Sequence, residues 1–330
     1  MKILVTGGLG FIGSNLCRYI LNKHSECNVI NLDKIGVGAN PANLRDLGKG
    51  KKYRFIKGDV CNQSLVDKIV KQADAIVNIA AETHVDRSIV NPKAFIRNNT
   101  VGTFTVLEAI RKHNRKCRLV QVSTDEVYGE ISEGSFSEEN ALEPSNPYSA
   151  SKASADMFVL AYCKTYDINA CVTRCTNNFG PYQFPEKLVP KTTIRALKNL
   201  TIPVYGSGKN IRDWLFVLDH CEAIDTVREK GKRSEIYNVS SGNEVRNLDL
   251  VKQILHLVGK EEVLISFVED RPGHDFRYSL DSSKLRSELG WKPKFTFKSA
   301  LEKTVNWYKD NNAWWQPLAT KEVLEPTPWK

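Results

Sequence analysis

The chain has 330 residues, 41% of them apolar and 26% charged, with a net charge of +9. That composition belongs to a globular protein built as one large domain with an added lobe, and it excludes fibrous and disordered classes. The cations are dispersed, with no basic stripe interleaved with aromatics, so the excess suits small anionic ligands; nucleic-acid binding is not expected, and no stretch is long enough to span a membrane.

The eight cysteines include no Cys-x-x-Cys pair. They read as buried free thiols in a reducing compartment, the cytoplasm, because a disulfide framework belongs to smaller secreted chains. Residues 1–6 form an apolar strand that glycines interrupt at once, which argues against a signal peptide. Gly7, Gly10 and Gly13 follow in G-x-x-G-x-x-G spacing around Phe11 and Ile12, and a helix is expected over 14–23. The first glycine permits a tight turn, the second lets a pyrophosphate approach the backbone, and the third lets helix and strand pack closely. A glycine pattern alone is a weak signal; the strand before it and the helix after it are its supporting context.

The second strand, 28–32, delivers Asp33 twenty residues after Gly13. A carboxylate there accepts both ribose hydroxyls and repels a 2′-phosphate, so NAD is favoured over NADP, a preference that Lys34 weakens slightly. A third strand, 53–58, ends in Asp59 and Val60 at the adenine edge. The fourth, 75–81, carries Ala80 and Ala81. His84 follows, but no partner carboxylate is assignable to it. Residues 98–103 open a long amphipathic helix through Arg111. Alternation of this length makes right-handed β-α-β units and a parallel sheet.

The apolar run 118–121 reads as a buried parallel strand, and Ser123, Thr124, Asp125 and Glu126 lie at its carboxyl end, where such sheets bind ligands. Two adjacent carboxylates in an enclosed site cannot both ionise freely. One pKa is expected to rise and the other to stay low, which suits a general acid beside a general base. Tyr148 and Lys152 stand four apart in a small-residue helix running to about 165, on one face. An ammonium beside a phenol lowers the phenol's pKa, so that the tyrosine can take a proton from a sugar hydroxyl. Each motif alone has an ordinary surface reading; behind the nucleotide loop they gain weight together.

Strand 170–175 ends in Thr176, Asn177 and Asn178, and the composition then changes. Segments 183–190, 202–206 and 208–214 are rich in Pro, Gly and single cations, and they read as a substrate lobe inserted among later sheet strands. The expected fold is α/β, a doubly wound parallel Rossmann sheet with a smaller mixed α/β substrate lobe. Residues 1–180 form the NAD-binding domain, strands near 213–240 return to it, and 181–330 are mainly the lobe. Arg212 and Arg271 are the candidates for a diphosphate clamp, because a guanidinium fork matches phosphate oxygens bidentately. The tail from Trp314 and Trp315 to Trp329 is expected to pack over the lobe or across a subunit contact. No metal site is expected.

With these residues in place, the sequence resembles the extended short-chain dehydrogenase/reductase family, and within it the dTDP-glucose 4,6-dehydratases. The likeness covers nearly the whole chain, in segments 80–88, 123–129, 177–182, 184–188, 211–214 and 270–274; the Thr124-Asp125-Glu126 triplet is its specific part. The resemblance implies that Tyr148 and Lys152 act at the sugar 4-hydroxyl, that Glu126 removes the C5 proton, that Asp125 protonates the departing 6-hydroxyl and that Thr124 binds the 4-hydroxyl. It implies nucleotide-sugar contacts at Thr83, Asn177, Lys187, Leu188, Val204, Tyr205, Arg212, Asn247, Arg271 and His274. It adds Thr100 and Asn178 to the cofactor contacts, and it implies a homodimer. The chain departs from the family pattern at 35–40, at Thr83, Thr176 and Gln183, and at Phe276, where an arginine is usual. A UDP-sugar 4,6-dehydratase and a nucleotide-sugar 4-epimerase or decarboxylase are the other enzymatic readings. Epimerases share the nucleotide loop and Tyr-x-x-x-Lys but lack the acid–base pair. A non-catalytic NAD sensor would have no need of those groups.

Overall fold

The computed structural model describes residues 1–47 and 50–328. The first half alternates strand and helix: β1 (Lys2–Thr6), α1 (Phe11–Lys23), β2 (Asn28–Asp33), β3 (Tyr53–Lys57), α2 (Gln63–Val70), β4 (Ala75–Asn78), α3 (Val85–Val90), α4 (Pro92–Phe95), α5 (Gly102–His113), β5 (Arg118–Thr124), α6 (Pro147–Tyr166) and β6 (Ala170–Cys175). Then come β7 (Asn177–Phe179), α7 (Leu188–Leu197), β8 (Ile202–Tyr205), β9 (Ile211–Phe216), α8 (Val217–Lys230), β10 (Ile236–Val239), β11 (Glu244–Arg246) and α9 (Asn247–Val258). The chain closes with β12 (Ile265–Val268), α10 (Ser283–Leu289), α11 (Phe297–Asp310) and α12 (Asn312–Trp315).

Seven parallel strands form the main sheet in the order β10-β6-β5-β4-β1-β2-β3. β1 illustrates why its strands read as continuous apolar runs. Ile3 and Val5 pack on one face with Leu16 and Ile20 of α1 and Ile224 of α8, while Leu4 packs on the other with Val66, Ile69, Val106 and Ile110. Both faces are covered, so alternation disappears. The strand order reverses between β1 and β4, which opens a crevice at their carboxyl ends.

The lobe holds a three-stranded sheet, β11-β9-β7, and a parallel pair, β12-β8. β10 pairs with β6 in the main sheet, whereas β9 lies in the three-stranded sheet. Its Trp214 and Phe216 are buried with Phe179 of β7 and Leu250 of α9, so its apolar side chains hold it in the lobe. The helix expected from 98 begins instead with a π-helical turn (Ile96–Val101) ahead of α5. In the tail, the Trp314 indole donates to Asn43 at 2.8 Å, and its ring meets Tyr182 and Trp307 edge to face. The tail thus packs on its own chain, and Trp329 lies outside the described residues. Among the described residues, no helix is long and apolar enough to cross a membrane.

Candidate active site

A cleft of about 270 Å³ lies at the crevice where the strand order reverses. Gly7 has φ +71°, and a Cβ there would lie 2.8 Å from Ala80 Cα; a Cβ on Gly13 would meet the Gly7 carbonyl and lie 2.7 Å from Gly8 Cα. The loop therefore tolerates no side chain at either position, and the N-terminus of α1 stays open to a phosphate. Asp33 accepts from Leu9 N–H at 3.0 Å and Ile35 N–H at 2.8 Å, and burial pushes its carboxyl up. Lys34 donates to Asn98 at 2.7 Å, and its ammonium lies 3.4 Å from Glu82. Gly7, Gly10, Phe11, Ile12, Gly13, Asp33, Lys34, Val60, Ala80, Ala81, Tyr148, Lys152 and Asn178 all line this cleft, a set that fits a dinucleotide.

Two residues expected there do not line it. Asp59 is paired with Arg97 at 2.8 Å and accepts from Cys61 N–H, while the Thr100 hydroxyl donates to the Ser151 carbonyl at 3.2 Å. Both side chains have local partners in the structure. Gly36, Val37, Gly38 and Ala39, in the segment that departs from the family pattern, do line it. Ile35 just before them has φ +61°, a strained conformation for a β-branched residue.

A second cleft of about 170 Å³ opens off the first and shares Glu126, Asn177 and Lys187 with it. Every residue expected to hold the nucleotide sugar lines it except Thr124, which lines the first cleft. Arg212 does not present a free fork. Its Nη1 and Nη2 donate to the carbonyls of Ile211, Phe276 and Asp275, and its guanidinium stacks 4.3 Å over Tyr278. Arg271 Nη1 is bound to Asp86 at 2.8 Å. The sequence reading missed Asp86 and Lys191, which also line this cleft. Asp86 is 3.9 Å from His84 Nδ1, so the histidine does have a carboxylate neighbour, yet burial and surrounding cations push its pKa well down. No short-range pattern in the sequence marks either missed residue.

β5 runs on to Thr124 and breaks into a 3-10 turn (Asp125–Tyr128). Thr124 Oγ1 donates to Asp125 Oδ1 at 3.0 Å and accepts from Glu126 N–H at 3.3 Å. Burial pushes the Asp125 carboxyl up to about 8, and the adjacent Glu126 adds to it. Burial also raises Glu126, but Arg271, Lys187 and Arg212 oppose that rise. The pair is thus not split into one high and one low group as expected; both rise, and the cations temper Glu126. One oxygen of each, Asp125 Oδ2 and Glu126 Oε2, is buried without a hydrogen-bond partner.

α6 begins with the Asn146 capping box and Pro147 in its first turn, which fixes Tyr148 and Lys152 one turn apart over the end of β5. Lys152 Nζ donates to the Val122 carbonyl at 2.6 Å. Contrary to the sequence expectation, the Tyr148 phenol is not lowered: burial, then Glu126, drive it well above its ordinary value. Among the described residues, one other grouping has metal-ligating chemistry, His24, Asp225 and Glu229. Its central carboxylate is already paired with Lys23 at 2.9 Å and Arg228 at 2.6 Å.

The family model described as GDP-mannose 4,6 dehydratase matches residues 4–304. A dTDP-glucose 4,6-dehydratase of Streptomyces niveus is 48% identical over 332 residues, covering 99% of this chain and 98% of the relative. The solved dTDP-glucose 4,6-dehydratase of Bacillus anthracis in complex with NAD is 46% identical, covers 96% of this chain and 99% of that one, and superposes with a TM-score of 0.91. The enzyme of the same name from Streptomyces venezuelae, also solved with NAD, is 42% identical, covers 96% and 100%, and gives a TM-score of 0.94. The chain belongs to the GDP-mannose 4,6 dehydratase family, and within it to the dTDP-glucose 4,6-dehydratases.

Proposed function

We infer that the protein is an NAD-dependent hydro-lyase converting dTDP-glucose to dTDP-4-keto-6-deoxyglucose, a step of deoxysugar biosynthesis. The observation that carries this reading is the Asp125-Glu126 pair, Asp125 buried and Glu126 half-buried, where the two clefts meet. The cleft formed by the Gly7–Gly13 loop and Asp33 would hold NAD, which would supply the hydride acceptor for C4 and the hydride donor for C6. Tyr148 takes the 4-hydroxyl proton as a phenolate: burial holds its phenol protonated in the free chain, and the positive charge that the nicotinamide of bound NAD would bring, with Lys152 one turn along the same helix, would favour release of that proton to solvent before the step. Thr124 positions the 4-hydroxyl. The ketone at C4 acidifies the C5 proton, which Glu126 removes under the influence of Arg271 and Lys187. Asp125, protonated at neutral pH, gives its proton to the 6-hydroxyl, and water leaves.

Supplying dTDP-glucose deuterated at C4, without added NAD, tests this. The label should appear at C6 of a 4-keto product. Release of unlabelled product, or conversion to the galactose epimer, would reject the dehydratase reading.

We further place the protein in the cytoplasm as a homodimer. Free thiols at all eight cysteines support the first. An exposed apolar face on α5 and α6 supports the second: Phe104 and Phe158 are 39% and 38% exposed and meet edge to face, beside exposed Val101 and Met157.

A further inference from the structure

Side chains alternate along a strand, so Arg212 and Trp214 project from one face of β9 and Asp213 from the other. Asp213 is held by the hydroxyls of Ser240 and Ser241 and the N–H groups of Gly242 and Asn243. Trp214 is 4% exposed, and its ring is fixed in the lobe core edge-on to Phe179 at 6.2 Å, yet it lines the second cleft. Its indole N–H is buried and has no hydrogen-bond partner. A buried indole N–H ordinarily finds an acceptor, because leaving one unsatisfied is costly. The cleft that Trp214 lines is where a ligand can bring one.

The cleft's electrostatics indicate which acceptor. Lys187, Lys191, Arg212 and Arg271 line it against the carboxylates of Asp86, Glu126 and Glu186, so the balance favours an anion. The arginines are partly spent on protein carbonyls and on Asp86, which leaves an anionic ligand short of donors. We propose that Trp214 donates its indole N–H to a diphosphate oxygen of the nucleotide sugar, beside Arg212, as a substrate-binding residue. This rests on the nucleotide-sugar reading of the second cleft.

The test compares NAD-loaded wild type with Trp214→Phe, which keeps an aromatic ring and removes the donor. The variant should bind dTDP about tenfold or more weakly by calorimetry, the loss expected for a hydrogen bond to a charged group. The KM for dTDP-glucose should rise by the same factor with kcat unchanged, since the diphosphate contact is equal in ground and transition states. An unaltered dTDP affinity overturns the assignment. So does a penalty seen with dTDP-glucose but not with dTDP, which would move the acceptor to the sugar. If wild type itself binds no dTDP, the nucleotide-sugar reading fails first and takes this inference with it. Should Trp214→Phe not fold, β-(3-benzothienyl)alanine at position 214 replaces N–H by sulfur in a ring of the same shape and gives the same comparison.

Discussion

Asp125 and Glu126 are neighbours in sequence, yet they meet different surroundings. Asp125 is 3% exposed and finds Thr124 and its own carboxylate neighbour, while Glu126 faces three cations drawn from β9, from 269–275 and from the start of α7. The folded chain holds the Asp125 proton up to about 8, against an ordinary 3.8. A raised pKa contributes stability fully below the unfolded value and loses it as pH rises through the folded one. Asp125→Asn should therefore gain stability relative to wild type as pH climbs from about 4 to about 8, read by urea unfolding across that range. Wild-type kcat should fall on an alkaline limb near pH 8, and the variant should lose roughly a hundredfold or more in kcat. A flat wild-type profile between pH 6 and pH 9 would mean that Asp125 is not the acid. The residue types of this pair were legible from the chain, but the cations that temper Glu126 lie 61 to 145 positions away and were not.

Beneath the site, α6 and β6 are joined by a buried ion pair. Asp156, one turn beyond Lys152, accepts from Arg174 Nε at 3.0 Å, and the guanidinium lies 4.7 Å over the Tyr128 ring. Arg174 is 1% exposed, so Arg174→Met leaves a buried carboxylate without its partner. The expected cost is about 3–5 kcal/mol by urea unfolding, with much of it restored by adding Asp156→Leu. A loss below about 1 kcal/mol in the single variant would show that Lys152 takes over the pairing. At this scale Tyr148 and Lys152 in their small-residue run marked α6, while its start is set by the Asn146 cap and Pro147, a local contract between neighbours. The placement of β9 could not be read, because an apolar strand of six residues fits either sheet until its partners are known.

Across the whole molecule, the glycine-loop cleft and the cation-lined cleft meet at Glu126, while the exposed apolar face lies on α5 and α6. If that face joins two copies, Phe158→Lys should convert a dimer to monomers in analytical ultracentrifugation, since an unpaired ammonium is desolvated twice in a two-fold contact. Dimers that persist unchanged would place the interface elsewhere. What the sequence by itself determined was the set of local devices: the glycine loop, the carboxyl-end Thr124-Asp125-Glu126, and Tyr148 four before Lys152. Each depends on neighbours within a few positions, where backbone geometry and helical period are enough. Only the tertiary structure decided that Asp59 and Thr100 turn to local partners, that Arg212 is half spent on carbonyls, and that the buried Trp214 N–H is left without a partner. Hydrogen-bond partners drawn from distant segments decide which donors remain for a ligand, and no spacing along the chain encodes that choice.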